Sequence, residues 1–299
     1  MQNSDLSALL EAFFHKRLIS QRRVSPHTVA SYRDTFRLLL MFAQQRTSRP
    51  PSQLALKDLS PSFVSDFLDQ LEAERDNTAR TRNLRPAAIR SFFRFVALES
   101  PEHSGMIQRV LAIPSKRCQR PLIGFRTRAE VEALLGAVAS NSWLGRRDYA
   151  LLLVAMQTGL RLSELTGLCR EDVTLGPGAH IQCVGKGRKQ RCTPLSKTTR
   201  RVLKAWMKEP WPFASKFLFP SLSGGRLSAD AVQDLVNKHV AAARVKCSSL
   251  VKKRVTPHVL RHTAAMELLL AGIDRAMIVL LRQTCVTVRE AAASIGGRL

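Results

Sequence analysis

Arg161, Lys186, His258 and Arg261 are four residues whose types and settings suit them to hold one anion between them. Arg161 follows a Thr158-Gly159-Leu160 break at the start of an expected helix, where free backbone amides also favour negative charge. Lys186 stands between Gly185 and Gly187, where the backbone can come close to a ligand and a long cation can swing over it. His258 and Arg261 are three apart on an expected helix and so share a face. Taken singly, each Arg or Lys is most simply a solvated charge in a chain with 47 of them, and a lone histidine is most simply structural. Only their convergence from separate elements would make them a site for one anion.

The elements that must position these residues are legible from periodicity. Residues 128–138 and 146–157 read as helices, and a further one runs from Arg161 through Leu168. The period then shortens to two. Residues 180–184 and 190–195 alternate as strands, with Gly185-Lys186-Gly187-Arg188-Lys189 as the tip of a hairpin. Helices resume at 198–207, at 229–243 and from Pro257 onward. Upstream, residues 5–18 place Leu6, Leu9, Leu10, Phe13 and Phe14 on one helical face, and Ser25-Pro26 and Ser60-Pro61 read as helix starts. A fourth helix opens at Asn77-Thr78, basic at first (Arg80, Arg82, Arg85, Arg90) and aromatic later (Phe92, Phe93, Phe95). Pro86 within it is expected to kink the helix or delay its start. Pro101, Gly105, Pro114 and Pro121, with Lys116-Arg117 and Arg120 and no strong apolar period, read as a linker over 101–126. The expected organisation is therefore a helical domain at 1–100, that linker, and a second domain at 127–299.

Composition says what such a site would meet. Over 299 residues, 47 Lys and Arg against 23 Asp and Glu leave a formal charge of +24, while 45% hydrophobic residues are ample for ordinary cores. Wholesale disorder is excluded, and a surface this basic calls for a polyanion, nucleic acid before anionic membrane. The apolar runs at 38–43 and 150–156 fall well short of the ~20 residues that span a bilayer. Asp5 and Glu11 precede any long apolar run, so the start does not read as a signal peptide, and a cytosolic or nuclear protein is expected. Six cysteines without C-x-x-C pairing read as free thiols, and no metal site is expected.

In order and context, Thr158-Gly159-Leu160-Arg161-Leu162-Ser163-Glu164-Leu165, Gly185-Lys186-Gly187-Arg188-Lys189-Gln190-Arg191 and His258-Val259-Leu260-Arg261-His262-Thr263 resemble the tyrosine site-specific recombinase or phage-integrase family. The resemblance covers most of the chain. It implies a mainly α fold: a helical, SAM-like core-binding domain, then a mainly helical catalytic domain with a small antiparallel β-sheet. It also implies a clamp on double-stranded DNA, working as a multimer with itself or with an intact recombinase, that cuts and rejoins strands through a 3′-phosphotyrosyl intermediate without metal or cofactor. On these residues the resemblance makes Arg161 and Arg261 the phosphate clamp, and Lys186 the general acid for the departing 5′-oxygen. His258 becomes a phosphate ligand that helps manage the nucleophile's proton. Glu164 would orient Arg161, and His262 would be structural. DNA contacts are expected from Arg80, Arg82, Arg85 and Arg90, and from Lys189 and Arg191 on the hairpin.

One departure matters for activity. The family pattern holds from Leu268 to about Leu280 and then breaks as a frameshifted or rearranged tail would, with an Ala- and Gly-rich end. Thr284 falls where a second histidine or a tryptophan belongs after Leu-Gly, and Ala293 where the tyrosine belongs. The chain's two tyrosines, Tyr32 and Tyr149, match neither place, and Thr284, Cys285 and Ser294 are near but out of position. The expectation is a phosphate-binding platform with no nucleophile. The alternatives are a non-catalytic regulator or inhibitor of an intact relative, and an ordinary helix-turn-helix regulator, which would explain the charge but not the Lys-bearing hairpin.

Overall fold

The computed structural model describes residues 6–75, 78–118, 124–184, 190–211 and 214–274, together with Ala276 and Ile278. It divides into two compact units, residues 1–121 and 122–299, each with its own apolar core.

The first unit is built from α1 (Leu6–Ala12), which continues as a π-helical stretch to Gln21, then α2 (Pro26–Thr47), α3 (Pro61–Arg75), α4 (Ala79–Glu99) and α5 (Ser104–Leu111). Each start has a local cause. Ser25 Oγ accepts from the Thr28 amide at 3.3 Å with Pro26 in the first turn, Ser60 Oγ accepts from the Phe63 amide at 3.2 Å, and Thr78 Oγ1 accepts from the Thr81 amide at 3.3 Å. The helices close over a ring cluster in which Phe92 lies 5.2 Å from Phe36 and 5.5 Å from Phe13.

Two expectations are revised here. The fourth helix begins at Ala79 and runs on through Pro86, whose ring is buried. Its lost backbone bond is outweighed by the packing of Ala88, Ile89, Phe92, Phe93 and Val96 on the same helix. The stretch read as a linker also carries structure. Pro101–His103 form a 3-10 turn, and α5 buries Ile107 and Val110 in the core of the first unit. Its apolar residues do recur at helical spacing, with Met106 and Leu111 packed beside Ile107 and Val110, but a run of eight residues between prolines is a weak signal.

The second unit runs α6 (Arg128–Gly136), α7 (Trp143–Thr158), α8 (Leu162–Gly167), β1 (Val173–Thr174), β2 (His180–Val184), β3 (Gln190–Pro194), α9 (Lys197–Lys208), α10 (Ala229–Lys246) and α11 (Pro257–Leu270). The strands form one antiparallel sheet in the order β1-β2-β3. Helix α7 is buried nearly all round, with α9 and α11 packed against it. It carries a buried ion cluster. Arg147 donates twice to Asp148 Oδ1, at 3.0 and 2.7 Å, and once to the Pro220 carbonyl at 3.0 Å, while His239 Nε2 of α10 lies 3.0 Å from Asp148 Oδ2. Helix α7 ends at Gly159, whose φ of +58° is a left-handed cap that suits glycine. A side chain there would also meet Ala264 Cβ at 3.2 Å, so this residue sets how closely α11 approaches the turn into α8.

Candidate functional site

The turn that Gly159 makes delivers Arg161 as the N-cap residue of α8. The Arg161 amide donates to Glu164 Oε2 at 2.7 Å and its guanidinium donates to Glu164 Oε1 at 2.8 Å. The carboxylate is buried while the Arg161 side chain stays 40% exposed, so one face of the guanidinium is tethered and the other is open to a ligand.

Arg261 comes to the same turn from α11. Its guanidinium donates to the carbonyl oxygen of Gly159, two residues before Arg161. Helix α11 is started by Thr256, whose Oγ1 accepts from the Val259 amide at 3.3 Å, with Pro257 in its first turn. His258 is thereby placed, exposed, in the first turn of a 14-residue helix, where amide dipoles favour an anion. Its ring stands edge-on to His262 at 5.3 Å. The structure therefore brings the Arg261 guanidinium to the turn that leads into Arg161 and puts His258 at the head of the helix that supplies Arg261. Lys186 and Lys189 lie outside the described residues, as do Thr284, Cys285, Ala293 and Ser294.

Helix α11 is held by a second polar network. The Arg126 amide donates to Thr263 Oγ1 at 3.0 Å, and Thr263 in turn donates to the Val259 carbonyl. Beside it, the buried Glu130 carboxylate accepts from Lys253 Nζ at 2.6 Å, Ser249 Oγ at 2.5 Å and the Thr127 amide at 3.1 Å. Burial opposes ionisation of Glu130, but the hydrogen bonds from Lys253, Ser249 and Thr127 outweigh it and hold the carboxyl below its ordinary range. A lowered folded-state pKa gives stability that is present above the unfolded value near 4.5 and is lost as pH falls through the folded value. The stability gap between wild type and Glu130→Gln in urea melts should accordingly narrow as pH is lowered from neutrality into the acid range below 4.5. A gap independent of pH would contradict this.

Two of the expected DNA contacts are corrected. Arg191 is buried, with its side chain 3% exposed; it pairs with Glu164 and donates from Nε to Cys183 Sγ at 3.1 Å. The physical reason is sheet alternation: β3 pairs Arg191 with Cys183, on the inward face that also carries Ile181. Arg82 is likewise buried, with Asp69 at 3.4 Å and Glu72 at 3.7 Å. Of the other two internally engaged arginines, Arg85 pairs with Asp34 at 2.7 Å and bonds Thr35, and Arg90 is partly buried against the Ile113 carbonyl and Ser115. Arg80 is exposed. Sequence reasoning missed the role of Arg126 and Thr263 in fixing α11, for which a lone buried arginine gives no periodic signal. It also missed Arg226, which bonds the Ser163 carbonyl at 2.6 Å and Thr166 Oγ1 at 3.0 and 3.1 Å and so steadies α8.

Among the described residues no cluster of three His, Cys, Asp or Glu side chains is arranged to hold a metal, and no helix is long and apolar enough to cross a membrane.

A mainly helical chain in two units, the second with an α11 arginine reaching the turn before Arg161 and a small antiparallel sheet, matches a known class along most of its length. Residues 10–100 match the phage integrase N-terminal SAM-like domain, and residues 125–281 match the phage integrase family. A Sinorhizobium fredii protein named as an integrase/recombinase, y4rC, is 55% identical over 279 residues, which span 93% of this chain and 84% of that protein. The tyrosine recombinase XerC of Rhodospirillum centenum is 32% identical over 263 residues, 85% of this chain and 73% of that protein. The Tn1549 transposon integrase, solved in complex with transposon right end DNA, shares the fold with a TM-score of 0.70 at 16% identity, over 97% of this chain and 94% of that one. This chain belongs to the phage integrase family of tyrosine recombinases.

Proposed function

We propose that this chain binds double-stranded DNA, fixes one backbone phosphate with Arg161, Arg261, His258 and Lys186, and as written makes no covalent bond to it. The observation that carries the reading is the bond from the Arg261 guanidinium to the Gly159 carbonyl, which brings the second arginine to the turn that presents the first. Two guanidinium groups beside a helix start suit the charge that gathers on non-bridging oxygens when a phosphodiester is attacked. Lys186 would supply the proton for a departing 5′-oxygen, and His258 would hydrogen-bond the phosphate. The residues from 127 onward are the catalytic-type domain, residues 1–100 the core-binding domain, and the cytoplasm the place of action. Arg80 is the first-unit contact that its exposure favours.

The role that follows is occupancy of recombination sites, alone or in a multimer with an intact recombinase, and so regulation or inhibition of that relative. Two observations favour it over strand transfer by this chain. No tyrosine follows Tyr149 in the 299 residues, and the match to the phage integrase family ends at residue 281, where the sequence leaves the pattern.

Binding should be dominated by phosphate contacts, given the +24 charge. If about 6–10 phosphates are neutralised, log K is expected to fall with log[salt] at a slope of about −0.9 for each. A fluorescence-anisotropy titration of labelled duplex across salt concentrations measures that slope. A slope near zero would reject the reading.

A further inference from the structure

We infer that Arg191 is a positioning residue for the phosphate site, acting through Glu164 to aim Arg161. This rests on the proposed phosphate role of Arg161. Glu164 is the link. Its side chain is 4% exposed and its two oxygens are divided: Oε1 takes the Arg161 guanidinium, while Oε2 takes both the Arg161 amide and Arg191. A carboxylate this buried is costly to keep ionised unless a cation compensates it. Arg161 cannot do that alone and still serve a ligand, because it is the partly exposed member of the pair. Arg191, wholly inside, supplies the compensating charge.

Geometry adds what charge alone would not. Among its described contacts, Arg191 donates from Nη2 to Glu164 and from Nε to Cys183 Sγ, and Cys183 is its cross-strand partner in the sheet. Rigid strands therefore hold the arginine, the arginine holds one oxygen of the carboxylate, and the carboxylate presents its other oxygen to Arg161. The chain of contacts runs from β2 and β3 through Glu164 to the N-cap of α8, so the sheet bears on the aim of Arg161.

The test uses the full chain, with sulfate as the probe because its charge is constant around neutral pH. Binding is followed by the side-chain Nε–Hε resonances of the arginines. Arg191→Lys keeps the charge but has a single donor head, which cannot reach both Glu164 and Cys183 as the fork does. The double variant Glu164→Gln with Arg191→Gln keeps the net charge of the pair and removes the orientation. Both are expected to weaken sulfate binding roughly tenfold, as misplacement of a binding group does, and to move the Arg161 Nε resonance in the free protein. Circular dichroism at the measuring temperature selects the variants that are folded, and Arg191→Lys, as the conservative change, keeps the test available. Sulfate binding and an Arg161 resonance like those of wild type in both variants would overturn the inference and leave Arg191 as buried charge only. Arg161→Ala separates this from the parent reading: if its removal leaves sulfate binding intact, the phosphate role of Arg161 fails, and the inference with it.

Discussion

Incubated with a nicked or suicide duplex, this chain is expected to leave no denaturation-resistant protein–DNA adduct. A positioned phosphate and a general acid stabilise a transition state, but strand exchange also needs a nucleophile that conserves the bond as a reversible ester. Neither tyrosine is placed to be one. Tyr32 packs on the core of the first unit, stacked 6.3 Å from Phe13, and Tyr149 lies on α7 against the core of the second. Grafting a family-like segment from Leu-Gly-His to tyrosine after Leu280 is expected to create the adduct. Ala293→Tyr alone is not, because an in-line phenol has to be aimed by the chain around it. Denaturing gels read both outcomes. An adduct on the unmodified chain, mapped by mass spectrometry, would contradict the account and name the nucleophile.

The largest stability effect is expected from Asp148→Ala. Asp148 is the shared acceptor for Arg147 and His239, and all three side chains are at least nine-tenths buried. Removing it strands a guanidinium that keeps only the Pro220 carbonyl and the face of Trp143, 5.7 Å away, among its described contacts with these groups. Breaking a buried ion pair from one side costs about 3–5 kcal/mol, a large fraction of the stability of a domain. Urea unfolding should show that loss, and Arg147→Met with Asp148→Leu should recover part of it, because the guanidinium is then no longer stranded, although His239 Nε2 still loses its acceptor. A single variant within experimental error of wild type would show that Arg147 finds another acceptor.

What could be read from the sequence, and what could not, follows from the range of the interactions. Helix starts were legible at Ser25, Ser60 and Thr78 because a cap is local, decided within three residues. The strand pair 180–184 and 190–194 was legible because alternation is local too. At the site, spacing alone put His258 and Arg261 on one face, whereas the meeting of Arg261 with the Gly159 turn joins residues 102 apart and became an expectation only through the resemblance. The arginines show the limit most clearly. Arg80, Arg82, Arg85 and Arg90 look alike in sequence, yet Arg80 is exposed and Arg82 buried, because Asp69 and Glu72 on the neighbouring helix neutralise it. Arg191 looked like part of a basic hairpin. Its inward direction follows from pairing with Cys183, which could have been inferred once register was combined with the apolar alternation of Ile181 and Cys183. Helix α5 was missed because it is short, and β1 because two residues carry no period.

The central claim is that Arg161 and Arg261 share one phosphate. A crystal structure of the full chain bound to duplex DNA tests it most directly. The expected result is a single backbone phosphate whose non-bridging oxygens accept from both guanidinium groups at hydrogen-bonding distance, with the imidazole of His258 beside it and Glu164 still bonded to Arg161. Guanidinium groups that reach different phosphates, or an Arg261 that stays on the Gly159 carbonyl with no DNA near it, would contradict the account.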